Sequence, residues 1–131
     1  MLFGFSPLSF RVTRKKSARR KKTSGVSVQE RELAREYVQS RIDHWNSFYN
    51  FSYNKVFIRN QRTRWGSCSS LGNLNFNSRI MRLSPELRDY IVVHELCHLQ
   101  EFNHSPAFWD LVGETIPEYT MLRKNLKKYR V

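Results

Sequence analysis

Five residues constrain this chain more than any others: His94-Glu95-Leu96-Cys97-His98. Two histidines four positions apart can reach one point in space if the backbone between them is an α-helix, where such residues share a face. Imidazole nitrogens are good zinc ligands, at about 2.0–2.1 Å from the ion. Glu95 is turned about 100° from His94 around such a helix, which places it beside a shared ion rather than on it. A carboxylate there can take a proton from a water on the metal. The chain has four histidines, and three fall between positions 94 and 104. Tyr90-Ile91-Val92-Val93 before the motif, with Leu96, Cys97 and Leu99 through it, makes the helix apolar on most sides and predicts burial. Buried histidine and glutamate need partners, and a metal supplies one. An amphipathic helix with two solvated histidines, the competing reading, does not fit that apolar setting.

His104 lies ten residues after His94, the spacing of the motif H-E-x-x-H-x-x-G-x-x-H. Where that motif turns on glycine, this chain has Glu101. Asn103 is expected to take the left-handed conformation that ends a helix. Ser105-Pro106 then reads as an N-cap followed by a first-turn proline. His104 is thus expected at a corner between two helices. Glu114 and Glu118, from the helix that follows, are rival third ligands. Three protein ligands with a fourth position open are the arrangement of a catalytic zinc site.

Ser84-Pro85 caps the metal-binding helix, expected over residues 85–102. The next helix runs from Pro106 to Gly113 and packs Phe108, Trp109 and Val112. Pro117 opens the last, with Tyr119, Leu122 and Leu126 as its apolar residues. Towards the N-terminus, Ser27-Val28-Gln29-Glu30 reads as a capping box. Leu33, Ala34, Tyr37, Val38, Ile42, Trp45 and Phe48 follow at helical steps, a stripe expected to pack on a sheet. Strands are expected at Lys55–Arg59, Thr63–Cys68 and Asn73–Asn77. Ser69–Gly72 is read as a hairpin loop between the last two. Gly66 within a strand marks a bulge or a close backbone approach.

The length of 131 residues suits one domain. The net charge is +12, and residues 1–29 hold eight of the 23 basic residues and no acid. Residues 1–25 are therefore set apart as a basic N-terminal segment, with the domain at 26–131. The run at 11–22 is expected to be a solvated arm that binds nucleic acid non-specifically. Leu8-Ser9-Phe10-Arg11-Val12 alternates like a short strand. Residues 1–25 also share the Arg-rich, acid-free look of an organelle transit peptide, so import stands beside a cytoplasmic location. Two cysteines make no disulfide framework, and Cys97 is read as a buried thiol. No apolar run is long enough to cross a membrane. A monomer is expected.

Three stretches carry a resemblance. They are Gln61-Arg62-Thr63-Arg64-Trp65-Gly66-Ser67-Cys68-Ser69-Ser70, then Leu83-Ser84-Pro85-Glu86-Leu87 with Val93-His94-Glu95-Leu96-Cys97-His98-Leu99, then Asn103-His104-Ser105-Pro106-Ala107-Phe108-Trp109. Over roughly residues 27–131 the chain resembles the YgjP-like metal-dependent hydrolases, relatives of the SprT and WLM zinc metallopeptidases. The resemblance implies a small zincin-like α+β fold: an N-terminal helix on a short three-stranded antiparallel sheet, a metal-binding helix and two C-terminal helices. It also implies His94, His98 and His104 as zinc ligands, with Glu95 as catalytic acid and base. The chain departs from the family in a shorter N-terminal β region, and in Ser78 where an aromatic usually precedes the residue matching Arg79.

The leading expectation is a zinc metallopeptidase, with one zinc per chain and a peptide or protein substrate. The peptide is expected along Asn73–Asn77, read as an edge strand. Arg64, Arg79 and Tyr119 are candidate substrate-binding residues, the last two also for the oxyanion. A second reading keeps the metal and lets Arg62, Arg64, Arg79 and Arg82 clamp phosphates, giving a nucleotide or phosphoester hydrolase. A third is a nucleic-acid-associated module with a non-catalytic zinc site, which the intact Glu95 argues against.

Overall fold

The structure, a computed structural model, describes residues 25–131. The expected strand at Leu8–Val12, the basic run and the transit-like segment lie outside the described residues. Helix α1 spans Val28–Tyr49, strand β1 Val56–Arg59, β2 Gly66–Cys68 and β3 Leu74–Asn77. A 3-10 turn at Ile80–Arg82 leads into α2, Pro85–Cys97, followed by α3, Pro106–Thr115, and α4, Tyr119–Leu126.

Helix α1 starts as its cap predicts, with the Ser27 hydroxyl accepting from the Glu30 N–H at 3.0 Å. The Glu30 carboxylate does not close a capping box. It accepts two bonds from Arg82, at 2.6 and 2.8 Å, and ties the helix to the 3-10 turn. Ala34, Val38 and Ile42 are fully buried against α2 and β1. Val38 and Ile42 each contribute about 1.5–3 kcal/mol by leaving water. Leu33 and Phe48, expected in the same stripe, are exposed, because the contact face is narrower than the apolar pattern. Arg41 crosses to Asp89 of α2 in a two-pronged pair at 3.0 Å. The helix ends at Asn50, the left-handed residue (φ 58°) that closes onto the Asn46 carbonyl.

The sheet is mixed rather than antiparallel, with order β1-β3-β2. Strand β2 pairs antiparallel with β3 through the expected hairpin, where Gly72 takes a positive φ of 83°. Strand β1 pairs with β3 in parallel, Val56 opposite Leu74. The connection from β1 carries β2 to the far side of β3, so β1 and β3 run the same way. Asn77 holds that connection down. Its Nδ2 donates to the carbonyls of Gln61 and Arg64, each at 2.9 Å, and its Oδ1 accepts from the Arg79 N–H. Strand β3 is therefore the middle strand and has no open edge for a peptide.

Helix α2 is the central element, touching α1, β2, α3 and α4. Ser84 caps it and Pro85 fills its first turn, as expected. Every residue from Tyr90 to Cys97 is buried. The helix stops at Cys97, short of the expected residue 102. Its last turn tightens: Leu99 bonds to the Leu96 carbonyl and Gln100 to the Cys97 carbonyl. The His98 ring bonds the Glu101 carbonyl at 3.0 Å across the turn that follows. Asn50 is the single non-glycine residue with positive φ among those described, so the turn to α3 is made without a left-handed Asn103.

Candidate active site

His94 in the last turn of α2 and His98 at its C-cap stand four residues apart and are buried, while His104 is exposed at the corner before α3. Their ring centroids are 4.9 Å (94–98), 5.4 Å (94–104) and 4.6 Å (98–104) apart. One ring nitrogen of each falls within 4.8 Å of the other two. Among the described residues they form the one convergent group of three or more potential metal ligands.

The protonation states suit a metal. Burial, then the neighbouring histidines, pushes His94 well below the ordinary histidine range. Burial lowers His98 too, against the opposing pull of the Glu101 and Phe102 carbonyls. His104 is brought down to about 4, by burial first and then by His98. All three are therefore neutral at pH 7 and keep a lone pair to donate. A carbonyl can only accept, so His98 carries its proton on Nδ1, facing Glu101, and presents a bare Nε2. That nitrogen lies 2.9 Å from His104 Nε2, with one proton between them. A divalent cation can take the place of that proton, and the residues present fit one.

Phe108 supports all three rings. It stacks under His98 at 4.4 Å and meets His94 and His104 edge-on at 4.9 and 5.0 Å. Trp109 closes the side, 5.8 Å from His94 and 6.0 Å from His104. Glu95 is fully buried and lies against β2. A Cβ on Gly66 would sit 3.1 Å from Glu95 Cγ, 3.1 Å from its Oε2 and 3.1 Å from the Asn75 carbonyl. The glycine in the strand marks a close approach, and what approaches is the motif's carboxylate.

A profile of the YgjP-like metallopeptidase domain matches residues 8–129. The chain belongs to the YgjP-like family. It is a metal-dependent hydrolase of the metallopeptidase kind. The match begins at residue 8, inside the segment set apart as a basic arm. No curated protein matches the chain. Among solved structures, the metallopeptidase zymogen of Pyrococcus abyssi abylysin shares the fold, with a TM-score of 0.59 and 24% identity over 70% of this chain and 89% of that one.

In the YgjP-like domain the rival ligands Glu114 and Glu118 fall outside the convergent group. The charge of Glu114 is felt at Tyr49 and Cys97, and Glu118 is the N-cap of α4. Burial pushes the Cys97 thiol up to about 12, and Cys97 stands outside the convergent group. Of the substrate candidates, Tyr119 joins the wall of the site, stacked on Trp109 at 5.1 Å. Arg79 braces a loop instead, donating to Asn60 Oδ1 at 2.8 Å and to the Gln61 carbonyl at 3.3 Å. The Arg64 carbonyl is held by Asn77. Among the described residues, no helix is long and apolar enough to cross a membrane. Two features escaped sequence reasoning: Phe108 and Trp109 as the floor and side of the histidine group, and Arg123 beyond them. Their helical spacing identifies core positions but not what the core faces.

Proposed function

We propose that this domain is a zinc-dependent peptidase in which His94, His98 and His104 hold the ion and Glu95 moves the protons. The observation that carries the reading is the convergence of three imidazoles, with a fully buried glutamate next in the chain to the first of them. Zinc suits an all-imidazole set, and when bound it polarises a carbonyl and lowers the pKa of a water to near 7. Glu95 takes the proton of the attacking water and returns it to the leaving amine nitrogen. The Glu101 carbonyl holds the His98 ring in the orientation and tautomer a ligand needs. Gly66 brings the outer strand β2 against Glu95, so a peptide paired along β2 would lie beside the proton carrier.

Metal analysis of purified chain, with casein hydrolysis alongside, tests the ligand set. One zinc per chain is expected. Removing a group that only orients a metal ligand costs about 10–100-fold in metal affinity, so His104→Ala is expected to lose more than that. Wild-type affinity in His104→Ala would remove it from the set and return attention to Glu114 and Glu118.

Gly66→Ala separates catalysis from metal binding. With the Asn75 backbone on one side, the new methyl pushes on Glu95 from 3.1 Å. Displacements of about 1 Å at a catalytic group cost up to 10²-fold, so a few tenths should lower kcat by about tenfold. Zinc content should not change. Full activity in Gly66→Ala would show that Glu95 has room to spare.

A further inference from the structure

Trp109 connects the histidine group to a cation that no carboxylate in the described fold neutralises. Tyr119 and Arg123 are four residues apart on α4 and share a face, while Leu122 and Leu126 are buried in the core. Tyr119 stacks on the Trp109 indole, and the Arg123 guanidinium carbon stands 4.9 Å from the indole centroid. The same indole contacts His94 and His104, so the guanidinium is one aromatic ring away from two of the three histidines. Arg123 is exposed, and the ion pairs present, Arg35–Glu32, Arg41–Asp89 and Arg82–Glu30, leave it out.

A cation–π contact with an indole does not use up the N–H donors of a guanidinium, whose fork fits a carboxylate. A metal in the histidine group would put a second cation nearby. Two neighbouring cations favour an anionic group between them and repel a cationic one.

We propose that Arg123, braced by Trp109 and Tyr119, selects the substrate at this site by binding a carboxylate of the peptide. The proposal rests on the peptidase reading above. The carboxylate comes either from an acidic side chain near the scissile bond or from the peptide's own C-terminus, and one experiment separates the two.

The probe is a fluorescent peptide set in which Glu or Gln is placed at each position in turn, with every peptide made as free acid and as C-terminal amide. Binding is measured by anisotropy to zinc-supplied Glu95→Gln, which is not expected to cleave the peptides, with and without Arg123→Ala. The expected result is a preference of about three- to tenfold for the carboxylate over its neutral counterpart, carried by Glu at particular positions or by the free C-terminus. Arg123→Ala should abolish the preference at an unchanged melting temperature, and Arg123→Lys should restore part of it. Equal affinity for acid and neutral peptides would overturn the proposal, as would a preference that survives Arg123→Ala. Casein hydrolysis by wild-type chain tests the peptidase reading separately. Cleavage without carboxylate preference sinks the Arg123 proposal alone, and preference without cleavage sinks the peptidase reading alone.

Discussion

Glu95→Gln is expected to keep its zinc and lose about 10³–10⁴-fold in kcat. The two side chains are nearly the same size, so the packing of Glu95 against Gly66 survives the change. What disappears is the oxygen that accepts a proton. General acid–base groups contribute about 10²–10⁴-fold, and in the mechanism proposed above one residue serves both the deprotonation of water and the protonation of the leaving amine. The upper part of that range is therefore expected. The histidines sit on a different face of α2 and should hold metal as before. The measurement is kcat on casein or a fluorogenic peptide, paired with metal content and a melting curve on the same preparation. Near wild-type turnover in zinc-loaded Glu95→Gln would sink the mechanism and move the search for a base to Glu101 or Glu114.

Phe108→Ala is expected to destabilise the fold by about 3–5 kcal/mol, the usual cost of truncating a buried phenylalanine. Phe108 is fully buried and touches all three histidine rings. Its loss opens a cavity under the ligand set as well as in the core. A drop in melting temperature of roughly 10–20 °C should follow, with weaker zinc binding at temperatures where the variant remains folded. Phe108→Leu refills much of the space and should recover most of the stability, while the stack under His98 stays broken. A melting temperature within a few degrees of wild type in Phe108→Ala would mean the rings are held by something other than this floor.

The sequence and the structure agree most closely where the information is local. The start of α2 is set by Ser84-Pro85 and that of α3 by Ser105-Pro106. Both caps form because each depends on a hydroxyl and an N–H three residues away. The histidine group is equally local, since helix geometry and one corner bring residues 94, 98 and 104 together. Agreement weakens where partners lie far apart in the chain. Strand pairing follows from Asn77 reaching back to Gln61 and Arg64, a long-range bond that alternation of apolar residues does not encode. The end of α2 falls earlier than its pattern suggests, because the apolar and polar spacing continues past Cys97 while the backbone tightens into i+3 bonds at Leu99 and Gln100. Leu33 and Phe48 look like core by spacing and lie in solvent, because the width of a helix contact is set by its neighbours. Gly66 could be read as a close approach, but only the folded chain names Glu95 as the neighbour.

In the mechanism proposed above, the metal group and the proton carrier draw on different parts of the molecule. The three histidines come from eleven consecutive residues, whereas Glu95 is set against a hairpin almost thirty positions earlier. Damage confined to the hairpin, whether by a nick in the 69–72 loop or by partial unfolding, would leave a chain that still takes up zinc and does nothing with it. Metal stoichiometry is then a poor measure of how much of a preparation is competent. Titration of active sites would be the proper count, and any gap between the two numbers would report how many molecules have lost the hairpin's hold on the carboxylate.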